Sequence, residues 1–211
     1  MKSKSYIDIS WPISPKMMTY KNKKPLSILK NKVFSQDKLR DSSLVCSMHT
    51  GTHVDAPAHF LSQGKTVDGI DLLSINGSCR VLDLTSCKEH ITAEELEPFQ
   101  IQKGERILLK TRNSNQKPNE TFNFTFVFLT KSGAEYLAER GVIAVGIDAL
   151  GIERNQEGHP THKILFENEV TIIEGLRLAQ VEEGEYKLSC LPLNIIGAEA
   201  APARALLQKK R

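Results

Sequence analysis

A run of eleven residues, from His49 to His59, constrains the fold of this chain more than any other stretch. It contains three of the chain's six histidines and one aspartate, all at odd-numbered positions: His49, His53, Asp55 and His59. In extended backbone, side chains alternate between two faces, so these polar groups would share one face. In a helix of about 3.6 residues per turn, Asp55 would lie about 200° beyond His53, on the other side. The pattern therefore predicts a strand or loop and excludes a helix.

The residues between the histidines agree with an extended backbone. Thr52 and Val54 are β-branched, which favours strands. A flat strand would hold the Cα atoms of His49 and His53 about 13 Å apart, at about 3.3 Å per residue. That distance is a long reach for two ligands of one ion. We therefore expect Gly51, which tolerates unusual backbone angles, to bend the strand.

Clustered imidazole and carboxylate groups on one face predict a metal centre. Ligands of this kind hold zinc, manganese or iron where thiolates are absent. A single histidine would more often be exposed or hydrogen-bonded, but burying four polar groups together requires a compensating partner. We therefore interpret the run as a metal site rather than as a strand with surface histidines.

The composition is that of an ordinary globular protein. The chain has 211 residues, of which 40% are hydrophobic and 25% are charged, which predicts one domain over residues 1–211. The net charge of +3 is too small to indicate a nucleic-acid partner. No apolar run approaches the ~20 residues that span a bilayer, so no membrane partner is expected.

The cysteines and the N-terminus indicate a cytoplasmic protein. The four cysteines show no C-x-x-C spacing and are expected to be small core residues in a reducing compartment. Residues 1–6 lead into Asp8 without the apolar segment of a signal peptide. These features predict a cytoplasmic location.

Strand-like and helix-like segments alternate along the rest of the chain. Residues 142–148 form a nearly continuous apolar run, which is typical of a central strand buried on both faces. Thr92 with Glu95, and Ser132 with Glu135, have the spacing of a helix-capping box. We predict a single mixed α/β domain, with the order of its strands left open. Further strands are predicted at 6–9, 80–85, 106–111, 126–129, 170–173 and 187–193 (the last strand), helical turns at 162–166 and weakly at 176–181, and an exposed loop at 112–123.

Two downstream residues, His162 and Glu174, are candidates to complete the site. His162 begins an apolar helical turn, and Glu174 ends a strand-like apolar run, where a buried carboxylate requires a partner. From spacing alone, a surface histidine and a residue near a helix start are the commoner interpretations. His159 is an alternative to His162.

The histidine run resembles the H-x-G-T-H-x-D-x-P-x-H-F signature of the cyclase/kynurenine formamidase family, with Phe60 as the last residue of the motif. Other segments are similar to the family's opening, central strand, second metal segment and C-terminal segment: 8–13, 146–148, 162–176 and 191–204. The resemblance implies a mixed α/β domain of the swivelling β/β/α type.

The resemblance also implies a centre of two divalent metal ions per chain, with zinc favoured over manganese. It assigns His49, His53 and Asp55 to one ion. It assigns His162 to the other ion, and it makes Asp55 and Glu174 bridge the two.

In the same family, the histidine that corresponds to His59 transfers protons rather than binding metal. The implied activity is hydrolysis of a carbon–nitrogen amide bond by metal-activated water, with His59 as general acid/base. The implied substrate is a small aromatic amide, an N-formyl arylamine such as N-formyl-kynurenine. The family is usually homodimeric, so a homodimer or higher homo-oligomer is expected.

The chain departs from the family pattern around the substrate. Tyr20 stands at the position of the tryptophan in the formamidases' Trp-Pro-Gly, so Tyr20 is the predicted substrate-binding residue. It lies in a polar loop at 15–25, which is long enough to reach over a site. Gly151 and Glu153 stand where Ser and Asp are expected, and Ala200 where Gly is usual.

Three other functions remain open on the sequence. The same metals could hydrolyse a cyclic amide or lactone, as in the isatin hydrolases, or catalyse a dehydration. The third alternative is a metal-binding protein without catalysis. The isatin hydrolases lack the bridging carboxylate, so Glu174 favours the two-metal type, and His59 argues against a loss of catalysis.

Overall fold

The structure is a computed structural model that describes residues 6–23 and 26–210. Residues 1–5, on which the prediction about a signal peptide depends, lie outside the described residues, and so does Pro25 at the end of the predicted 15–25 loop. Within the described ranges the chain forms twelve strands and four α-helices, besides short 3-10 helices. Among these elements there is no helix with the length and apolar character needed to cross a lipid bilayer.

The strands in chain order are β1 (Tyr6–Asp8), β2 (Ser27–Lys32), β3 (Asp41–Val45), β4 (His53–Asp55), β5 (Asn76–Asp83), β6 (His90–Ile91), β7 (Arg106–Lys110), β8 (Phe128–Leu129), β9 (Ala144–Ile147), β10 (Thr171–Glu174), β11 (Gly184–Pro192) and β12 (Ala200–Lys209). The helices are α1 (Phe34–Asp37), α2 (Ala93–Leu96), α3 (Lys131–Glu139) and α4 (Pro160–Glu167). The strand predicted at 126–129 is thus shortened to β8.

Eight strands form one mixed sheet that closes on itself. Their order is β1-β12-β11-β5-β7-β9-β10-β4, and β4 also pairs with the first residues of β12. The neighbours β5, β7, β9 and β10 are parallel, whereas β4, β11 and β12 pair antiparallel. β12 is shared along one edge, because residues 200–202 pair with β4 and residues 206–208 pair with β1.

Alternating side chains of the closed sheet supply two apolar cores. Leu108 and Ile173 belong to the core that the sheet encloses, whereas their neighbours Leu109 and Ile172 belong to the core shared with the helices. This alternation is the period of two that a strand imposes. Gly146 lies where a Cβ would be 2.7 Å from the Leu108 side chain, so close packing inside the sheet requires glycine there.

The predicted mixed α/β domain is confirmed, and so is its central strand. β9 lies between β7 and β10, and all of its residues are buried. The capping box predicted at Thr92 and Glu95 is present. The box predicted at Ser132 is wrong, because α3 begins earlier: the hydroxyl oxygen of Thr130 accepts from the backbone N–H of Gly133 at 3.2 Å.

The C-terminal predictions need two corrections. The segment 187–193 corresponds to β11, but a longer strand, β12, follows it, where the sequence is rich in glycine, alanine and proline. Ala200 is fully buried there, so its small side chain reflects close strand packing rather than a loop. Residues 176–181 form no helix, because Leu176 and Leu178 are buried in the enclosed core. Burial outweighs a weak helix preference.

The segment 112–123 is only partly the predicted exposed loop. Asn113 and Ser114 are buried in a 3-10 turn. Asp148, which follows β9, explains their burial: its carboxylate accepts from the hydroxyls of Thr111 and Ser114 at 2.8 and 2.6 Å. A buried carboxylate thus draws a polar segment into the protein.

Strands β2 and β3 form a separate two-stranded hairpin that the sequence pattern did not indicate. We call residues 27–45 the arm. No residue of β2 or β3 is buried. A lone two-stranded hairpin is marginally stable in water, and this one exposes several large apolar side chains: Ile28, Leu29, Phe34, Leu39, Leu44 and Val45.

Candidate metal centre

The centre is built on the antiparallel pairing of β4 with β10. His53 lies opposite Glu174 in this register, and Asp55 lies two residues further along β4. Val54 and Ile173 belong to the enclosed core, so His53, Asp55 and Glu174 lie on the opposite face, towards the helices. All three of these polar side chains are buried.

His49 and His59 reach this face from outside the strand. The predicted strand is limited to β4, His53–Asp55, and the exclusion of a helix is wrong at His59. Gly51 turns the chain, with φ of 62°, as expected, and His59 lies in a short 3-10 helix. The rings of His49 and His59 are 4.2 Å apart between centroids, and Nδ1 of His49 lies 2.9 Å from Oδ1 of Asp55. Turns, rather than alternation, bring the four groups together.

Thr52 holds the turn at Gly51 against the end of β10. Its hydroxyl donates to the carbonyl oxygen of Gly175 at 2.6 Å and accepts from the backbone N–H of Trp11 at 2.7 Å. A Cβ on Gly175 would collide with the carbonyl oxygen of Gly51. Glycine at this position therefore lets the two segments approach closely.

Helix α4 brings His162 to the same carboxylates. Its Nε2 atom lies 3.4 Å from Oε1 of Glu174 and 3.9 Å from Oδ2 of Asp55. His159, the alternative residue, is exposed, and its ion-pair contact is with Glu153 at 4.0 Å. The structure therefore places His162, rather than His159, beside Asp55 and Glu174.

Hydrogen bonds to the distal nitrogen orient two of the histidines. Nδ1 of His53 lies 2.9 Å from the carbonyl oxygen of Gly51, which can only accept, so this Nδ1 carries a proton. Nδ1 of His162 lies 2.7 Å from Oε2 of Glu153, a buried carboxylate. Nε2 of each ring is left to face the centre, the arrangement typical of metal-binding imidazoles.

The buried polar atoms of the centre fit a divalent cation. Among the described residues, Nε2 of His49, Nε2 of His53 and both carboxylate oxygens of Asp55 are buried without hydrogen-bond partners. Imidazole nitrogens and carboxylate oxygens of these residues and Glu174 approach one another to 2.9 to 3.4 Å. These four atoms nevertheless have no hydrogen-bond partner in the described part of the chain. Unpaired buried polar atoms are costly, and a cation would satisfy them. Over the two described ranges of the chain, three sets offer ligand atoms within 4.8 Å of one another: His53, Asp55 and Glu174; His49, Asp55 and His59; and Glu153, His159 and His162.

Carboxylates and imidazoles hold one another charged at the centre. Burial lowers the pKa of His53, but Asp55 and Glu174 outweigh burial and raise the pKa to about 9. Burial also opposes protonation of His162, whose pKa is raised to about 9 by Glu153, Glu174 and Asp55. Burial raises the pKa of Glu174, but His162 and His53 bring that pKa well below its usual value. A metal ion entering this centre would displace protons from both histidines.

His59 differs from these two histidines. Burial dominates its pKa and lowers it from the usual value, although Asp55 acts in the opposite direction. A neutral imidazole that can accept a proton is therefore the favoured form at neutral pH. Its ring centroid lies 6.0 Å from that of His162.

A cavity of about 470 Å³ opens over the centre. Tyr20, Phe60 and Gly151 lie in its side, and we call these three residues the wall. Tyr20 is thus in the same cavity as the predicted ligands. His53 and Asp55 lie beneath the residues that line its base, and we call the six residues together the floor: His49, His53, Asp55, His59, His162 and Glu174.

Three further residues lie at the centre without having been assigned from the sequence. Glu153, noted only as a departure from the family pattern, holds His162. Phe60 packs on the ring of His162 at 4.4 Å between centroids, and its place at the end of the motif was a usable signal. Oε1 of Glu199 lies 3.5 Å from Nε2 of His49. No pattern in the sequence indicates Glu199.

Comparisons with known proteins agree with this geometry. A family model described as "Putative cyclase" matches residues 7–154. Kynurenine formamidase of Bacillus anthracis is 34% identical over 99% of both chains. A solved structure described as a potential metal-dependent hydrolase with cyclase activity is 42% identical, with a TM-score of 0.89 over 98% of this chain and 99% of that one. Isatin hydrolase A from Ralstonia solanacearum shares the fold, with a TM-score of 0.82 at 21% identity over 98% of this chain and 92% of that one. The chain therefore belongs to the putative cyclase family, the family that its histidine motif indicated.

Proposed function

We propose that this chain is a metal-dependent hydrolase of carbon–nitrogen amide bonds, with an N-formyl arylamine such as N-formyl-kynurenine as substrate. One observation carries the proposal: buried, unpartnered nitrogen and carboxylate atoms converge beneath a cavity large enough for an aromatic amide. The full-length similarity to a kynurenine formamidase supports the choice of reaction and substrate.

The floor would hold two divalent ions, with zinc favoured over manganese. We assign His49, His53 and Asp55 to one ion. His162 would hold the other ion, and Asp55 and Glu174 would contribute oxygen atoms to both. Such ions supply Lewis acidity, which lowers the pKa of water towards neutrality and stabilises negative charge on a carbonyl oxygen.

His59 is proposed as the group that moves protons. Its imidazole is neutral at the start of the reaction, since burial lowers its pKa. It takes one proton from the attacking water and returns one to the nitrogen of the leaving arylamine, so that formate and amine are released. Its ring is held between neighbours, 4.2 Å from those of both His49 and Phe60.

The wall is proposed to bind the aryl ring. Tyr20 offers an aromatic surface that is itself supported by Phe122, with 5.1 Å between ring centroids and an edge-to-face angle of 69°. Phe60 offers a second aromatic surface next to His59. Aromatic rings favour such edge-to-face and offset contacts.

The test is a hydrolysis panel on metal-stripped protein reloaded with zinc or manganese. N-formyl-kynurenine and formanilide should be cleaved, with release of stoichiometric formate. Isatin and phenyl acetate serve as the cyclic-amide and ester alternatives. Faster turnover of isatin than of either formamide would replace the proposed function with cyclic-amide hydrolysis, and no turnover of any compound by metal-loaded protein would favour a non-catalytic role.

Metal stoichiometry tests the ligand assignment separately. We expect up to two ions per chain by elemental analysis, and Glu174→Ala should reduce that occupancy. Glu167→Ala, an exposed carboxylate at the end of α4, is the matched control and should leave the occupancy unchanged. Tight binding of one ion that ignores Glu174 would establish a mononuclear centre instead.

We also propose a cytoplasmic homodimer or higher homo-oligomer. The arm supports assembly, because its apolar side chains are exposed on a hairpin that is marginal alone. The unpaired state of all four cysteines supports a reducing compartment. Light scattering should give more than one chain per particle, and Leu29→Asp with Leu44→Asp should reduce that number. A monomeric wild-type protein would exclude the assembly.

A further inference from the structure

Tyr20 and Gly151, two residues of the wall, touch each other. Tyr20 and Gly151 are far apart in sequence, but both line the cavity. A Cβ built on Gly151 would lie 2.9 Å from Cε2 and 3.6 Å from Cδ2 of Tyr20. The edge of the phenol ring therefore lies directly against the Gly151 backbone.

Gly151 is needed for space rather than for backbone conformation. Its φ does not lie in the left-handed region that glycine alone adopts freely, unlike that of Gly51 or Gly175. Its φ therefore does not by itself require glycine at position 151. What no larger residue could do is leave room for the Tyr20 ring in its present position.

Other contacts prevent Tyr20 from simply moving aside. On another side, its ring packs edge-to-face on Phe122. The next two residues, Lys21 and Asn22, have φ of 52° and 55°, a conformation that L side chains rarely adopt. The Asn22 side chain holds this turn by accepting from the backbone N–H of Phe122 at 3.1 Å. Strained backbone that is held in place at a ligand cavity is typical of a positioned binding group.

We propose that Tyr20 and Gly151 are a coupled pair that fits the wall to the aryl ring of the substrate, so that Gly151 determines specificity by positioning Tyr20. This proposal rests on the proposed function, since it names the part of the aryl formamide that the wall selects. Gly151 acts through Tyr20 and is a positioning residue. Tyr20 touches the ring.

The contact also makes the residue types at positions 20 and 151 depend on each other. A serine side chain at position 151 begins with the Cβ that collides with Tyr20. Tyrosine at position 20 and glycine at position 151 are therefore compatible with each other in a way that tyrosine and serine are not. A change at either position alone alters the shape of the wall.

A double-mutant cycle tests the coupling. Gly151→Ala, Tyr20→Ala and their combination are compared with wild type for hydrolysis of formanilide, and for binding of 2-aminobenzamide, a fluorescent ring compound whose own hydrolysis is monitored by release of ammonia. Gly151→Ala alone should raise KM and Kd about tenfold, with a smaller effect on kcat. In the Tyr20→Ala background, Gly151→Ala should have no further effect, because there is no ring to displace.

Three controls separate the pair from general damage. Gly69→Ala, where a Cβ meets only Lys65 at 3.6 Å, should leave KM and Kd unchanged. Metal content should be equal in all variants. Tyr20→Phe keeps the ring carbons that touch Gly151, so Gly151→Ala should be as harmful in that background as in wild type.

The outcomes decide the inference and the proposed function independently. Effects of Gly151→Ala that are equal in the presence and absence of the Tyr20 ring would overturn the coupling. If Gly151→Ala does not fold, equal Kd values for the Tyr20→Phe and Tyr20→Ala proteins would overturn it as well. If wild type hydrolyses no formamide but the coupling appears in 2-aminobenzamide binding, the proposed function fails and the paired wall stands.

Discussion

The floor and the wall of the cavity are built in different ways. The centre of the floor rests on strand register: His53 and Glu174 lie opposite each other on buried strands, with Nε2 and Oε2 3.2 Å apart. The wall rests on loops, where Tyr20 precedes two residues with left-handed backbone. Paired, buried strands hold metal-binding side chains at fixed distances, whereas residues on loops can adapt to the shape of a substrate. Substitutions in the floor should therefore change metal binding and turnover, and substitutions in the wall should change substrate affinity.

The largest effect is expected at His59. His59→Ala should lower kcat about 10²- to 10⁴-fold, because proton transfer is lost, while both ions stay bound. Steady-state kinetics and elemental analysis measure the two quantities on the same sample. His90→Ala, an exposed histidine on β6, is the control. Loss of metal in His59→Ala would show that His59 is a metal ligand, and would contradict its assignment as the proton-transfer residue.

The next effect tests how far the floor extends. Glu153→Ala should weaken metal binding about 10- to 100-fold, because the Nδ1–H of His162 loses its acceptor. Glu153→Gln should be milder, since an amide oxygen still accepts this hydrogen bond. Titration against a coloured chelator measures the affinity, and Glu157→Ala, an exposed carboxylate nearby, is the control. Equal affinities for the Ala and Gln variants would show that the hydrogen bond from His162 to Glu153 does not support metal binding.

Raising the pH should lower the thermal stability of the metal-free protein and raise its affinity for metal. In metal-stripped protein, His53 and His162 have folded pKa values of about 9, above their unfolded values. Their contribution to stability is present below about pH 6.5 and is lost as pH rises through about 9. Tm of the stripped protein should therefore fall over this interval. Metal affinity should rise over it, by about tenfold per pH unit for each displaced proton.

Calorimetry measures both effects: proton release on metal binding, and the Tm of the stripped protein as a function of pH. Titration of metal into stripped protein in two buffers of different ionisation enthalpy should show protons released near pH 7. A Tm of the stripped protein that rises with pH from 6.5 to 9 would contradict the charged array described for the floor.

The smallest effect is expected from the phenol oxygen of the wall. Tyr20→Phe should change KM for formanilide by about threefold or less, because the ring contacts remain. Burial, Glu174 and Glu153 raise the pKa of Tyr20, so its hydroxyl stays neutral near pH 7 and the pH profile should not change. A large decrease in kcat for Tyr20→Phe would show that the Tyr20 hydroxyl takes part in catalysis.

The sequence was most informative where side-chain chemistry and spacing coincide. The run from His49 to His59 identified four members of the floor and the bend at Gly51. It did not reveal how they meet, because a turn and a 3-10 helix bring in the outer histidines. The distances among the ligand atoms depend on the pairing of β4 with β10. The register between two strands so far apart in the sequence cannot be predicted from either segment alone.

Other elements were missed for physical reasons that differ. β12 has alanine and proline where strands usually carry bulkier residues, since close packing against β4 leaves little room. The arm has no buried face within one chain, so its side chains show no clear alternation. Glu199 approaches His49 only because strand pairing brings the segment before β12 to the floor. None of these features follows from local propensity.

The shared edge of β12 has a consequence for the order of events during synthesis. β4, which carries His53 and Asp55, obtains one neighbour from β10 and the other from residues 200–202. About 145 residues separate β4 from residues 200–202, so the strand that bears these two residues can be paired on both edges only after that whole stretch has been synthesised. Contacts between residues so distant in sequence form slowly. Metal binding at this centre would then follow the pairing of residues 200–202 with β4, and would not precede it.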